Sequence, residues 1–132
     1  MGTRSLTLVY NDLTAKLPLV NMYRQYDGYP EGHGKELADF LNSFAEITNG
    51  ISMGETRKTA NGMGCLAAQL IANFKTEVGN IYLYEVDARD CWQDYEYHVY
   101  EDFVRVMSHG KQLFEGNWKE FAHFCVAEQE EV

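Results

Sequence analysis

The chain has 132 residues, 45% of them apolar and 23% charged, and a net charge of −9. That length and balance suit one globular domain (1–132) with a single hydrophobic core and exclude extended disorder. A surface so negative repels phosphate backbones and anionic headgroups, which argues against general nucleic-acid binding and against membrane attachment.

The charge is uneven: residues 1–66 carry six basic and seven acidic groups, and residues 67–132 carry five and thirteen. Cys65, Cys91 and Cys125 are odd in number and widely spaced, which fits a reducing compartment better than a disulfide framework. No long apolar run opens the chain, so neither a signal peptide nor a membrane span is expected. Met1-Gly2 lacks the Ser or Thr that myristoylation wants at the sixth position, where Leu6 stands. A cytoplasmic location is the expectation.

Residues 3–10 alternate, with Arg4, Leu6, Leu8 and Tyr10 on one side, and predict a strand ended by Asn11-Asp12. A second strand over 18–24 follows a short loop, so the two are expected to form an antiparallel hairpin. Residues 24–35 then make a glycine-rich loop. From 35 to 44 the period becomes helical, with Leu37, Phe40, Leu41 and Phe44 on one face. A glycine-rich break over 49–64 precedes a second helix over 62–74, for which Asn61 is the expected N-cap.

The last third predicts four antiparallel strands over 81–86, 95–100, 103–107 and 111–115. Ser108-His109-Gly110 marks a tight hairpin turn. Asn117 is placed to cap a final helix from 118 to about 127, burying Trp118, Phe121, Ala122 and Cys125, and residues 128–132 form an acidic tail expected to fray. Strands grouped at both ends with helices between them predict an α+β domain: an antiparallel sheet with about three helices packed on it.

The densest chemistry lies in the 24–35 loop, where Arg24, Tyr26, Asp27, Tyr29, His33 and Lys35 crowd among three glycines and a proline. Its end resembles a phosphate-binding loop only superficially. Tyr29 occupies the position of the first glycine and Glu36 that of the hydroxyl residue. A weaker anion site survives, in which unpaired N–H groups at the helix start and Arg24 hold the charge while Tyr26 or Tyr29 stacks on a ring. If the first two strands pair, Arg4 and Arg24 come close enough to share that anion. The plainer reading packs Tyr26, Tyr29 and Pro30 onto the sheet and gives Asp27 a turn.

The histidines and cysteines show no close-paired ligand spacing, so no metal, no cofactor and no Cys–His catalytic pair is expected. Glu85, Asp87, Asp94, Glu96, Glu101 and Asp102, interleaved with Trp92 and tyrosines, could imitate the charge and flat faces of a nucleic acid, meet a basic partner protein, or form the solvated positions of a sheet.

Gly2-Thr3-Arg4-Ser5-Leu6, the run from Tyr23 to Pro30, Gly32-His33-Gly34, Asn61-Gly62-Met63-Gly64 and Tyr82-Leu83-Tyr84 together carry a resemblance. Over most of residues 2–100 the chain resembles a group of short, uncharacterised bacterial and bacteriophage proteins, including those of cyanophage-type phages. That resemblance implies a phage or bacterial accessory protein, and no activity. The expected function is a non-enzymatic binding or modulator protein that contacts a host or bacterial protein. The alternative is a binding protein or enzyme for a small anionic, nucleotide-like ligand at Arg4, Arg24, Tyr26, Asp27, Tyr29, His33 and Lys35. Unprotected sheet edges in a chain whose two prolines are Pro18 and Pro30 favour a homodimer, against repulsion from Glu96, Glu101 and Asp102.

Overall fold

The computed structural model describes residues 2–44, 46–48 and 58–130. The elements in chain order are β1 (Ser5–Val9), β2 (Val20–Arg24), a π-type turn (Pro30–Gly34), α1 (Lys35–Asn42), β3 (Glu46–Thr48), β4 (Thr59–Asn61) and α2 (Gly62–Phe74). They continue with β5 (Ile81–Tyr84), β6 (Tyr95–Tyr100), β7 (Phe103–Ser108), β8 (Lys111–Asn117) and α3 (Trp118–Glu130). Six strands form one sheet in the order β5-β2-β1-β6-β7-β8, and β3 with β4 forms a small parallel pair. The fold is α+β.

All neighbours in the large sheet are antiparallel except β1 and β6, which run parallel with Thr7 beside Tyr97. The β1–β2 hairpin forms as the alternation predicts, with Ser5 opposite Arg24. Parallel pairing needs a long crossover between the strands. Here the whole stretch from β2 to β5 supplies it, so both ends of the chain share one sheet.

The two sheet faces are covered differently. Val9, Met22, Tyr97, Val99, Val104 and Val106 point to the helices and join Leu37, Leu41, Leu66, Leu70, Phe121 and Cys125 in the main core. Leu6, Leu8, Tyr10, Tyr23 and Tyr100 point the other way. Loops cover them there, with Ala15 after β1 and Cys91 before β6 packed against this second cluster. Aromatic rings tile this face: Tyr10 stacks on Tyr100 at 4.6 Å, Tyr100 on Phe103 at 4.5 Å, and Tyr23 on Tyr84 at 4.7 Å.

Several boundaries differ from expectation. Helix α1 ends at Asn42, so Phe44 lies beyond it and packs half-buried against the core. Asn61 does precede α2, but its side chain makes no capping bond. Helix α3 runs to Glu130, past the expected end near 127. Residues 131 and 132 of the expected frayed tail, and most of the 49–64 break, lie outside the described residues.

Candidate functional site

The glycine-rich loop is packed inward. Opposite Ser5 on the helix-facing side of the sheet, Arg24 is only 7% exposed and His33 is fully buried. Arg24 NH1 donates to His33 Nδ1 at 3.1 Å and to Glu36 Oε1 at 2.7 Å, while its Nε donates to the Tyr26 carbonyl at 2.6 Å. A guanidinium can only donate, so His33 Nδ1 accepts and its proton sits on Nε2, which donates to Thr7 Oγ1 at 2.7 Å. Burial, then the neighbouring Arg24 charge, pushes the His33 pKa down to about 3. The ring is a neutral strut between β1, β2 and the π-type turn.

The glycines have the same explanation. A Cβ on Gly28 would lie 2.8 Å from both the Thr3 carbonyl oxygen and the Ser5 Cβ, and one on Gly34 would lie 3.0 Å from Cys125 Sγ. Tyr97 Oη donates to the Gly28 carbonyl at 2.7 Å, tying the loop to the middle of the sheet. These glycines let the loop approach its own protein. His33 therefore presents no exposed surface, and its ring nitrogens are already bonded to Arg24 and Thr7.

The remaining loop residues scatter. Tyr29 Oη donates to Asp27 Oδ1 at 3.2 Å, and Asp27 adopts φ +61°. The Asp27 carbonyl, which accepts from His33 N at 2.7 Å, closes the turn. Lys35 is exposed on α1, 3.8 Å from Asp39. Arg4 and Arg24 do not share an anion. Arg24 pairs with Ser5, whereas Arg4 lies on the face of Tyr23, so the sheet separates the two guanidiniums.

A cleft of about 530 Å³ beside Arg24 includes Lys58, Glu36 and Asp39. Glu36 already meets the Arg24 charge, and Lys58 lies 4.6 Å from the ring centres of both Phe40 and Phe44 and bonds Ser43. Among the described residues that line it, both cations are engaged and two carboxylates are present.

The acidic residues do not form one surface either. Glu101 and Asp102 sit in the β6–β7 turn, about 20 Å along β6 from Asp94. Asp94 accepts from the Arg4 amide at 3.2 Å. Glu96 accepts from His98 Nε2 at 2.9 Å, and that bond, with one from Gln93, holds its carboxyl below the usual range. Glu85 and Asp87 are exposed just beyond β5.

What remains open is the edge of β5. It pairs with β2 and, among the described residues, with no strand on its other side. Leu83 is 62% exposed on the helix-facing side, beside Met22; Tyr82, 47% exposed, and Tyr84 lie on the opposite side with Tyr23. At the start of the strand Val78 is 99% exposed, and Tyr26, 55% exposed, is fixed there by its amide donating to Asn80 Oδ1 at 3.0 Å. Lys75 shields this end, donating to the carbonyls of Gly79 and Ile81 at 3.1 and 2.8 Å. At the far end stand Glu85 and Asp87. The edge thus joins Tyr26 of the loop to the first of the acidic residues.

Tyr82-Leu83-Tyr84 reads as a strand in the sequence, but its place at the edge depends on pairing with β2 across some 60 residues, which no local signal reports. No family model, curated protein or solved structure matches the chain. Among the described residues no group of three or more His, Cys, Asp or Glu side chains could hold a metal ion, and no helix is long and apolar enough to cross a membrane.

Proposed function

We propose that the protein is a non-enzymatic binding protein that acts through protein contacts, taking an extended segment of a partner onto the edge of β5. One observation carries this reading: a strand whose side chains are apolar and exposed on both faces stands at a sheet edge that no other strand pairs with among the described residues. An open edge offers a ladder of N–H and C=O groups to an incoming strand, and natural proteins usually blunt it with charge or proline. Within β5 there is neither, and only its first residue is covered: the Ile81 amide donates to the Gly79 carbonyl at 2.7 Å and its carbonyl accepts from Lys75, which leaves the Leu83 backbone groups open. Flanking chemistry defines the partner. Val78 and Tyr26 favour apolar side chains at one end, and Glu85 and Asp87 favour basic ones at the other. The resemblance to short bacterial and phage proteins supports a host or bacterial protein as that partner and the host cytoplasm as the place of action.

Affinity capture from a bacterial lysate tests the assignment, with Leu83→Lys and Glu85→Lys compared against the wild type. Leu83 is exposed, so its replacement leaves the core intact. The expected result is a partner held by the wild type, lost with Leu83→Lys and weakened with Glu85→Lys, with amides of β5 protected from hydrogen exchange in the complex. A partner retained by both variants overturns the reading.

A further inference from the structure

A second surface lies on the segment joining β5 to β6, and the sheet holds it firmly. Asn21 Nδ2 donates to the carbonyls of Glu85 and Ala88 at 2.9 and 3.0 Å. Gln93 Nε2 donates to the Arg89 carbonyl at 2.6 Å and to Glu96 Oε2 at 3.1 Å. From this fixed loop Trp92 projects 82% exposed, with φ +61°. A bulky side chain in the left-handed region carries a steric cost that glycine would avoid. An exposed indole gives up burial as well, and among the described residues it stacks on no other ring. Packing therefore explains neither its conformation nor its exposure.

Trp92 lines a cleft of about 560 Å³ that also includes Arg4, Arg89, Asp90, Asp94 and Glu96. That volume falls within the range of small-molecule sites. Glu96 is engaged by Gln93 and His98, and Asp94 Oδ2 by the Arg4 amide. Asp90 and Asp94 Oδ1, the latter 3.7 Å from His109, are left as acceptors. An anionic ligand would face carboxylates in this cleft, and a cationic one would face two guanidiniums. Arg89 NH1 already donates to the Val86 and Ala88 carbonyls at 3.0 and 2.8 Å, so a neutral ligand with several hydroxyls would donate to the carboxylates and accept from the guanidinium N–H groups that remain on Arg4 and Arg89. If it also has an apolar face of C–H groups, that face stacks on the indole.

A pyranose ring has this chemistry. We propose that the cleft is a binding site for a neutral saccharide, with Trp92 as its stacking platform and Asp90 and Asp94 as acceptors for its hydroxyls. The site does not depend on the β5 edge, and Leu83→Lys leaves it unchanged.

Calorimetry and saturation-transfer NMR on the full chain, with glucose, galactose, mannose, N-acetylglucosamine and their disaccharides, test the proposal. Glucosamine and glucose 6-phosphate serve as charged counterparts. The expected result is saturable binding of at least one neutral sugar with a Kd on the order of 1 mM, weakened about tenfold or more by Trp92→Ala and by Asp90→Asn. Trp92→Gly is expected to raise the thermal midpoint while abolishing binding, which separates loss of the site from loss of the fold. Three results would overturn the proposal: no neutral sugar binding at ~100 mM, about a hundredfold above that Kd, binding retained by Trp92→Ala, or tighter binding of either charged counterpart.

Discussion

Burying an imidazole between Arg24 and Thr7 commits it to the neutral form, and that commitment has a pH signature. His33 has its pKa lowered to about 3 in the fold, against an ordinary value of 6.5 in the unfolded chain. Below pH 6.5 the unfolded chain takes up a proton that the folded chain refuses. The stability from this residue is therefore complete above pH 6.5 and falls as the pH drops toward 3, where the folded ring protonates. Between pH 6.5 and 5 the loss is roughly 1.5 kcal/mol. Urea unfolding of the wild type and of His33→Gln at both pH values measures it. The variant is less stable at neutral pH and loses less on acidification; equal losses would mean that the ring is not held neutral. The sequence shows His33, Arg24 and the glycines around them, and chemistry on a glycine-rich loop suggests a ligand. Whether Gly28 faces a phosphate or the Thr3 carbonyl is decided by the distant partners Thr7, Tyr97 and Cys125, which the local sequence does not specify.

Elements governed by local rules were the legible ones. The periodicity of α2, the alternation of β1 and the β7–β8 turn all follow from neighbouring residues. In that turn His109 and Gly110 adopt φ +50° and +79°, the pair of positive values that a two-residue hairpin loop of this twist needs. The short strands β3 and β4 leave no sequence signal, because three residues are too few to show a period. The parallel pairing of β1 with β6 was equally hidden, since it joins residues about 90 apart. The start of α3 is the fullest case of local legibility. Asn117 Oδ1 accepts from the Glu120 amide at 2.8 Å, and Glu120 Oε1 accepts from the Asn117 amide at 2.8 Å, a reciprocal capping box. Asn117→Ala is expected to lower stability by about 1 kcal/mol. Because each side chain satisfies the other's backbone, the loss in Asn117→Ala/Glu120→Ala should differ from the sum of the single losses. A double-mutant cycle in urea checks this; strict additivity would mean that the two bonds act independently.

For the whole molecule, the two edges of the large sheet differ in how well they resist self-association. Strand β8 carries Lys111 and Glu115, and Glu115 is paired with Arg105 at 2.7 Å. Strand β5 carries no charge, and its exposed residues are Tyr82, Leu83 and Tyr84. The acidic groups expected to oppose pairing are elsewhere: Glu96 lies on β6 inside the sheet, and Glu101 and Asp102 lie in a turn. Two copies meeting antiparallel through β5 would set the Lys75 end of each beside the Glu85 end of the other, so Lys75 approaches Glu85 while the exposed Glu77 at the same end opposes it. We therefore expect a two-fold homodimer through β5 when no partner segment occupies that edge, with partner and second copy competing for the same backbone groups. Light scattering behind a sizing column should give a mass near twice 15.2 kDa at tens of micromolar chain. Leu83→Lys should return the monomer mass, because a charge is forced into the pairing strand. A wild-type mass near 15.2 kDa across the micromolar range would leave the edge free for partners alone. A dimer that persists in Leu83→Lys would place self-association on another surface.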